Sequence, residues 1–421
     1  MENIKLYPHQ LKALEQCADK NRVAFYHDMG LGKTFTGAEK LVQLNELINL
    51  IVCQKSQVDY WLEHFEKYYE YQLFNLTTKN GYSGFLENMK KPKTAIIGVI
   101  NYDLIWRRTD LLKLKDFTLL LDESSLIQNE TSKRCKFILK LKPDNVILLS
   151  GTPVGGKYEK AWSQMKLLGW DISKKIYWNQ FVRTRKLSWL GRSINLVVGY
   201  KNVDRLKAKM REHGCQFLTT DEVFDLPEQQ FIKVPVTRTK DYDTFKKHKV
   251  LIKDDLTLVG DTTLTCMLYQ RMLCGPHNQH KKQALEDILN GTSKRVIVFY
   301  NFTKELKVIE DVCLALNKPL SIVNGSVKDL SVYDEYDDSV TAIQYQAGSM
   351  GLNLQKANTI IYFTPPLSSE LYEQSKKRIH RIGQNNTCFY YNLIVKGSIE
   401  EKIYDVLDKR KDFTERLFEN A

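Results

Sequence analysis

The chain is short of the features that mark secreted, membrane and fibrous proteins. Its opening residues, MENIKLYPHQ, contain no basic-then-apolar leader, and no run approaches the roughly 18 apolar residues of a membrane span. Its 8 cysteines follow no repeated spacing, which argues against a disulfide framework and suits a reducing, cytoplasmic setting. Low-complexity tracts are absent, and the only internal similarity is a loose one between two halves. Cys274, His277 and His280, with His213 and Cys215 far upstream, lack the paired, tight spacing of structural zinc ligands. They read as packing or surface residues.

What is present points to a large basic α/β protein. At 421 residues the chain exceeds one ordinary domain, and 43% hydrophobic residues supply sizeable cores. A net charge of +12 and a pI near 9.0 favour a polyanionic partner, nucleic acid before membrane.

The stretch around which the chain is organised is His27-Asp28-Met29-Gly30-Leu31-Gly32-Lys33-Thr34. An apolar strand is expected over 22–26 and a helix over 35–44. A glycine-rich turn between strand and helix aims backbone N–H groups and a helix N-terminus at one spot, which suits a polyphosphate. Lys33 would reach the β- and γ-phosphates, and the Thr34 hydroxyl would ligate Mg²⁺. The strict pattern has glycine where this chain has His27. Upstream, Leu6-Tyr7-Pro8-His9-Gln10 opens a helix, and the Gln10 amide could read an adenine edge while Tyr7 stacks on it.

Continuous apolar runs at 50–53, 95–100, 117–121 and 146–149 fit parallel strands covered on both faces, with helical spacing at 58–69 and 132–141. Ligands of such doubly wound sheets gather at the carboxyl ends of strands. There the run 117–121 delivers Asp122 and Glu123, suited to holding Mg²⁺ and to polarising an attacking water. The run 145–149 delivers Ser150-Gly151-Thr152-Pro153, a turn able to hydrogen-bond that acidic pair. Residues 154–221 read as a helical, tryptophan-rich insertion with the basic run Arg183-Thr184-Arg185-Lys186, which suits either a solvated face or phosphate contact. Residues 225–290 read as a connector and lysine-rich helical insertion. A second strand–helix series spans 291–421, with strands at 296–300, 320–323, 340–344, 359–363 and 389–395. Helices are expected near 303–316 and 369–382, and a last one opens at Ser398. On the second of these, Arg378 and Arg381 would share one face, the arrangement of an arginine finger supplied in cis.

Taken in order, LYPHQ, DMGLGKT, IVCQKSQVDYW, VINYD, DESS, LSGTP, YQRMLCGPH, QAGSMGLNL, QSKKRIHRIGQ and NLIVKGSIEEKI resemble the motifs of the Swi/Snf family of helicase-like ATPases, within helicase superfamily two. The resemblance spans essentially the whole chain. It implies two RecA-like lobes: 1–224, with the insertion at about 154–221, and 291–421, joined by 225–290. It also implies that Gln10 reads adenine, that Gly30, Gly32, Lys33 and Thr34 hold phosphates and Mg²⁺, and that Asp122 and Glu123 serve metal and water. Gln374, Arg378 and Arg381 would face ATP from the second lobe, and Gly351 would line the cleft. Contacts to the DNA backbone are expected from Lys55 and Ser56, from Asn101 and from Asn324-Gly325-Ser326. Three departures stand out: Ser125 where the family usually has His, His27 where acidic or small residues are common, and Gly155-Gly156 where the family favours paired asparagines. The short insertions suggest a minimal bacterial or phage-type motor on double-stranded DNA. No strand-splitting hairpin is visible, which favours translocation over unwinding. A protein partner supplying a target or a nuclease would be encoded elsewhere. The rivals are a strand-separating DNA or RNA helicase of the same superfamily and a non-catalytic DNA-binding scaffold.

Overall fold

A computed structural model describes residues 4–189, 192–253, 256–348 and 352–418. The chain divides into two compact units, Met1–Val223 with Phe413–Ala421, and Phe224–Asp412.

The first unit is built on a parallel seven-stranded sheet. Its strands are β1 (Arg22–His27), β2 (Ile48–Cys53), β3 (Gln72–Asn75), β4 (Ile96–Asn101), β5 (Phe117–Asp122), β6 (Asn145–Leu149) and, beyond a hairpin, β9 (Cys215–Leu218). The spatial order is β3-β4-β2-β5-β6-β1-β9. Alternate residues of β1 feed two cores. Phe25 packs with Leu14, Ala38, Leu41, Trp61 and Phe65 of helices α1 (Pro8–Glu15), α2 (Lys33–Leu44) and α3 (Val58–Tyr68). Ala24 and Tyr26 pack with Tyr102, Phe137, Met165 and Tyr177 on the opposite face. Burial on both faces is why these strands are continuous apolar runs. Trp162, Trp170 and Trp178 lie partly buried against the second of these cores.

The insertion is less helical than its sequence suggests. Short helices are followed by an antiparallel hairpin, β7 (Val182–Trp189) and β8 (Arg192–Tyr200), then by a helix (Val203–Glu212) leading into β9. A second hairpin, β11 (Val250–Lys253) with β12 (Leu256–Val259), interrupts the lysine-rich helices.

The second unit carries a parallel six-stranded sheet. Its strands are β10 (Gln229–Val236), β13 (Val296–Tyr300), β14 (Leu320–Val323), β15 (Val340–Gln344), β16 (Thr359–Tyr362) and β17 (Cys388–Val395), in the order β10-β17-β16-β13-β15-β14. The fold is therefore α/β with two doubly wound parallel sheets of the RecA-like kind. Part of the expected connector thus forms a strand: β10 pairs with β17 along its full length, from Gln229↔Cys388 to Val236↔Val395. Its Lys233 and Pro235 are tolerated because it is an edge strand.

The last helix is anchored by a charge pair inside the second unit. Lys281 Nζ lies 2.6 and 2.8 Å from the two Glu400 oxygens, and both side chains are essentially inaccessible. Glu400 also accepts from the Val395 N–H at 3.0 Å. Removing one member strands a buried charge. Lys281→Ala should cost about 3–5 kcal/mol in urea unfolding. Lys281→Met combined with Glu400→Gln, which keeps the Val395 bond, should recover most of it. Equal losses in the single and double variants would place the cost in packing instead.

Candidate ATP site

The site rises from the carboxyl end of β1. After His27 the chain turns through Gly30 (φ 91°) and Gly32 (φ 68°) into α2, whose first residue is Lys33. These left-handed positions let the loop curl without a Cβ penalty. A Cβ on Gly32 would come within 2.4 Å of Gln10 Nε2. The Lys33 ammonium donates to the carbonyls of His27 (2.9 Å) and Asp28 (3.0 Å), so its charge sits over the mouth of the loop.

Gln10 is buried, and its amide is committed to protein. Nε2 donates to Gly32 O at 3.0 Å, and Oε1 accepts from Tyr7 N–H at 2.8 Å. His9 Nε2 lies 3.0 Å from Leu31 O. The first turn of α1 therefore fastens the phosphate loop from the side.

The acidic pair follows β5. Asp122 Oδ2 accepts from the Trp61 indole N–H at 3.0 Å, and Tyr102 O–H donates to the Asp122 carbonyl at 2.9 Å. Burial outweighs the Trp61 bond and the Lys33 charge and pushes the Asp122 carboxyl up from its usual range. Glu123 takes a left-handed backbone (φ 53°, ψ 58°), a conformation costing a non-glycine residue about 1–3 kcal/mol. Ser150 Oγ donates to Glu123 Oε2 at 3.3 Å, so the turn after β6 does reach the acidic pair.

Two aromatic residues whose only sequence signal was membership of IVCQKSQVDYW, without a role of their own, sit here. On α3, Trp61 holds Asp122, and the neighbouring Tyr60 hydroxyl lies near Thr34. A third addition is Gln164, on the helix Trp162–Leu167. Its Oε1 accepts from Tyr26 O–H (2.9 Å) and Ser124 O–H (2.8 Å), and its Nε2 donates to Pro153 O (2.6 Å). One buried amide thus ties β1 to the turns after β5 and β6. In the sequence Gln164 stands between Ser163 and Lys166 in a tryptophan-bearing stretch, with nothing to single it out.

In the second unit the helix carrying Gln374 spans Ser369–Lys376 and stops there. Arg378 and Arg381 therefore lie on turns beyond it and do not share a helix face. The Arg378 carbonyl accepts from Leu354 N–H at 3.2 Å instead of continuing the helical ladder. Its buried guanidinium approaches Leu352 O at 3.5 Å. Arg381 is half-buried and bonded to Asn353 Oδ1. Gln374 is buried, and Gly351 lies outside the described residues. Of the expected DNA contacts, Lys55 and Ser56 are exposed on a 3₁₀ turn after β2, whereas Asn101 is nearly buried. Asn324 folds its Oδ1 onto the N–H groups of Ser326 and Val327, below an exposed Gly325.

Two family models cover most of the chain: an SNF2-related domain over residues 9–274 and a helicase conserved C-terminal domain over residues 280–383. The chain belongs to the Swi/Snf family of helicase-like ATPases. It is 23% identical over 427 residues to a mouse SWI/SNF-related, matrix-associated, actin-dependent regulator of chromatin (subfamily A member 1), covering 90% of this chain and 40% of that protein. It is also 23% identical to an uncharacterized ATP-dependent helicase of Mycoplasma pneumoniae, covering 92% of this chain and 39% of the relative. The chain thus spans about two fifths of these relatives' length. A solved Sulfolobus solfataricus SWI2/SNF2 ATPase core in complex with dsDNA is similar at 20% identity, covering 98% of this chain and 92% of that one, with a TM-score of 0.47. Among the described residues no helix is long and apolar enough to cross a membrane.

The departures of this Swi/Snf chain have local explanations. Gly155 (φ 51°) and Gly156 (φ 72°) are both left-handed, the conformation that asparagine tolerates best among other residues, so the backbone here is one that a paired-asparagine turn could also adopt. His27 is 1% exposed, edge-on to Phe25, and lines a cavity of about 500 Å³ with His9, Lys12, Gln16 and Leu218. Burial, then the Lys33 and His9 charges, holds its pKa near 3, so the imidazole is neutral. The unfolded chain accepts a proton near pH 6.5 that the folded chain refuses until about pH 3. The His27 contribution is therefore full above about 6.5 and lost as pH falls through that window. Unfolding free energy should drop by about 1.4 kcal/mol per pH unit on its account. His27→Gln should flatten the slope between pH 6 and 4 by about one proton, read from urea melts. An unchanged slope would mean that the imidazole is already charged.

Proposed function

We propose that this chain is an ATP-driven motor that translocates along double-stranded DNA. The observation carrying the proposal is the single assembly of Lys33, Asp122, Glu123 and Ser150 at adjoining strand ends in a Swi/Snf ATPase. A net charge of +12 and a relative named as a regulator of chromatin support duplex DNA as the track.

The residues present fit ATP and Mg²⁺. Thr34 and Asp122 form an oxygen-only donor set of the kind Mg²⁺ prefers. They would hold the ion, which supplies neutralisation of phosphate charge. In this reading Lys33 leaves the carbonyls of His27 and Asp28 for the β- and γ-phosphates, while Gly30 and Gly32 present loop N–H groups. Glu123, held by Ser150, orients and polarises the attacking water. Because the Gln10 amide is already bonded to Gly32, its part is to report base occupancy to the phosphate loop as well as to read the adenine edge. Arg378, Arg381 and Gln374 supply charge and hydrogen bonds from the second unit during turnover. Lys55, Ser56 and the 324–326 turn contact the DNA backbone, whereas the burial of Asn101 takes it out of that set.

A second reading, strand separation, draws on the β7–β8 hairpin, the kind of element that can wedge a duplex. Steady-state ATP hydrolysis should be stimulated most by duplex DNA, and the protein should displace a triplex-forming strand without unwinding the duplex. Stronger stimulation by single strands or RNA would decide for unwinding. Glu123→Gln should bind ATP and fail to turn it over. Arg381→Ala should keep nucleotide affinity within a few-fold while kcat falls by about 10³ or more. Wild-type turnover in Glu123→Gln would overturn the assignment of the water-activating group.

A further inference from the structure

We infer that the β7–β8 hairpin is a cationic ribbon that grips the sugar-phosphate backbone of duplex DNA. This inference rests on the translocase reading and names a contact surface that the motifs do not include. From residue 172 to residue 203 the chain contains no Asp or Glu. On β7, Arg183, Arg185 and Lys186 are all exposed. Among the described residues none of the three side chains is engaged in an ion pair, a hydrogen bond or a ring contact. Three nearby lysines find carboxylate partners (Lys166 with Asp171, Lys174 with Glu130, Lys209 with Glu212), while others such as Lys140 and Lys175 are exposed singly. What sets the hairpin apart is three exposed cations within four residues and no acid near them in sequence. The hairpin's cations are left for something outside the chain.

The geometry fits a polyphosphate. An antiparallel strand rises about 3.4 Å per residue, and phosphates along one DNA strand are spaced by about 3.4 Å of helix axis. Arg183 and Arg185 are two residues apart on one face, about 7 Å along the strand, and because the DNA backbone winds around its axis this is the through-space separation of neighbouring phosphates. The register shifts at Arg183/Thr184, where Arg183 pairs with Gly199 and Thr184 with Val197, leaving Val198 as the extra residue. Such a bulge bends a ribbon and increases its twist, which helps it follow a groove. A two-stranded ribbon is also of a width that the major groove admits. Leu196, opposite Arg185, and Val198 are 50% and 56% exposed, an apolar margin suited to deoxyribose. A protein partner is the weaker fit, because interface cores are depleted of lysine and of unpaired charge.

The test uses the full chain. Wild type, the Arg183→Ala/Arg185→Ala/Lys186→Ala variant and an Arg183→Lys/Arg185→Lys variant are titrated with a duplex of mixed sequence, from about 50 to about 200 mM salt. Loss of the Arg183 and Arg185 contacts should lower the slope of log K against log salt by about 2, uniformly across sequences, and Lys186 on the other face of the ribbon adds at most about 1 more. The lysine variant should keep the wild-type slope. DNA-free ATP hydrolysis and the melting temperature should not change, which excludes misfolding. An unchanged slope in the triple-alanine variant, when the wild type binds duplex, overturns the inference and leaves the translocase reading intact. It would do so even if strand displacement or capture of a protein were lost, since those results would make the hairpin a wedge or a protein-docking surface. Failure of the wild type to bind duplex at all would overturn the translocase reading itself.

Discussion

The constraint on which the first unit depends is the pairing of β1 on both sides, with β6 and with β9. In a parallel sheet every strand points its carboxyl end at the same rim. The register Phe25↔Leu149 and Asp122↔Leu149 therefore brings the phosphate loop, the acidic pair and the Ser150 turn together without any long-range design of side chains. β9 completes the arrangement from the other side, since Asp28 N–H donates to Leu218 O, and Asp28 Oδ2 accepts from Thr220. The loop is thus fixed at Asp28 by β9, at Gly32 by Gln10 and across its mouth by Lys33. Backbone position comes first, and the chemistry follows from it.

Within that frame the energetic tension is concentrated at the acidic pair. Asp122 is desolvated enough to raise its pKa, and Glu123 occupies a strained backbone region. Both costs are offset by groups that exist to hold them: Trp61 on Asp122, Ser150 on Glu123, and Gln164 binding the neighbouring Ser124. A carboxylate pair prepared in this way gains most when positive charge arrives beside it. The Ser124–Gln164–Pro153 chain also offers a physical substitute for the histidine that the family usually places at position 125. It joins the turn after β5 to the turn after β6 through neutral hydrogen bonds, which do not change protonation near neutral pH.

The sheets and the phosphate loop were readable in the sequence because their signals are local. A doubly buried strand is a continuous apolar run, and a loop of Gly-x-Gly-Lys-Thr needs no distant partner. The edge strand β10 was not readable, because Gln229–Val236 mixes Lys233 and Pro235 with apolar residues and its partner lies more than 150 positions downstream (Gln229↔Cys388). The β7–β8 hairpin was hidden for another reason. Among its described side chains, 183–186 on one strand and 195, 196 and 198 on the other are exposed, so no alternation of buried and exposed positions marks it there. Trp61, Tyr60 and Gln164 belong to the site through tertiary contacts alone. An aromatic on an amphipathic helix carries no mark of the carboxylate it meets.

The end of the helix Ser369–Lys376 shows how a right motif can be given a wrong local shape. Spacing of three suggested that Arg378 and Arg381 stack along one helical face, but a helix is a contest for carbonyl partners. Here Leu354 N–H captures the Arg378 carbonyl, and Gln384 Nε2 reaches back to Ala357 O at 2.8 Å and Gln355 O at 3.1 Å. The segment is pulled onto the 352–357 loop, which breaks the ladder and sends the two guanidiniums in independent directions: one buried near Leu352, the other half-buried on Asn353. Partial burial lowers the Arg381 pKa, yet a guanidinium remains charged at any physiological pH. The unequal burial of the two arginines implies unequal roles. A guanidinium held against a backbone carbonyl in the interior is fixed along with its loop, whereas one that is half-buried and bonded to a single side-chain oxygen has less to give up in changing partners.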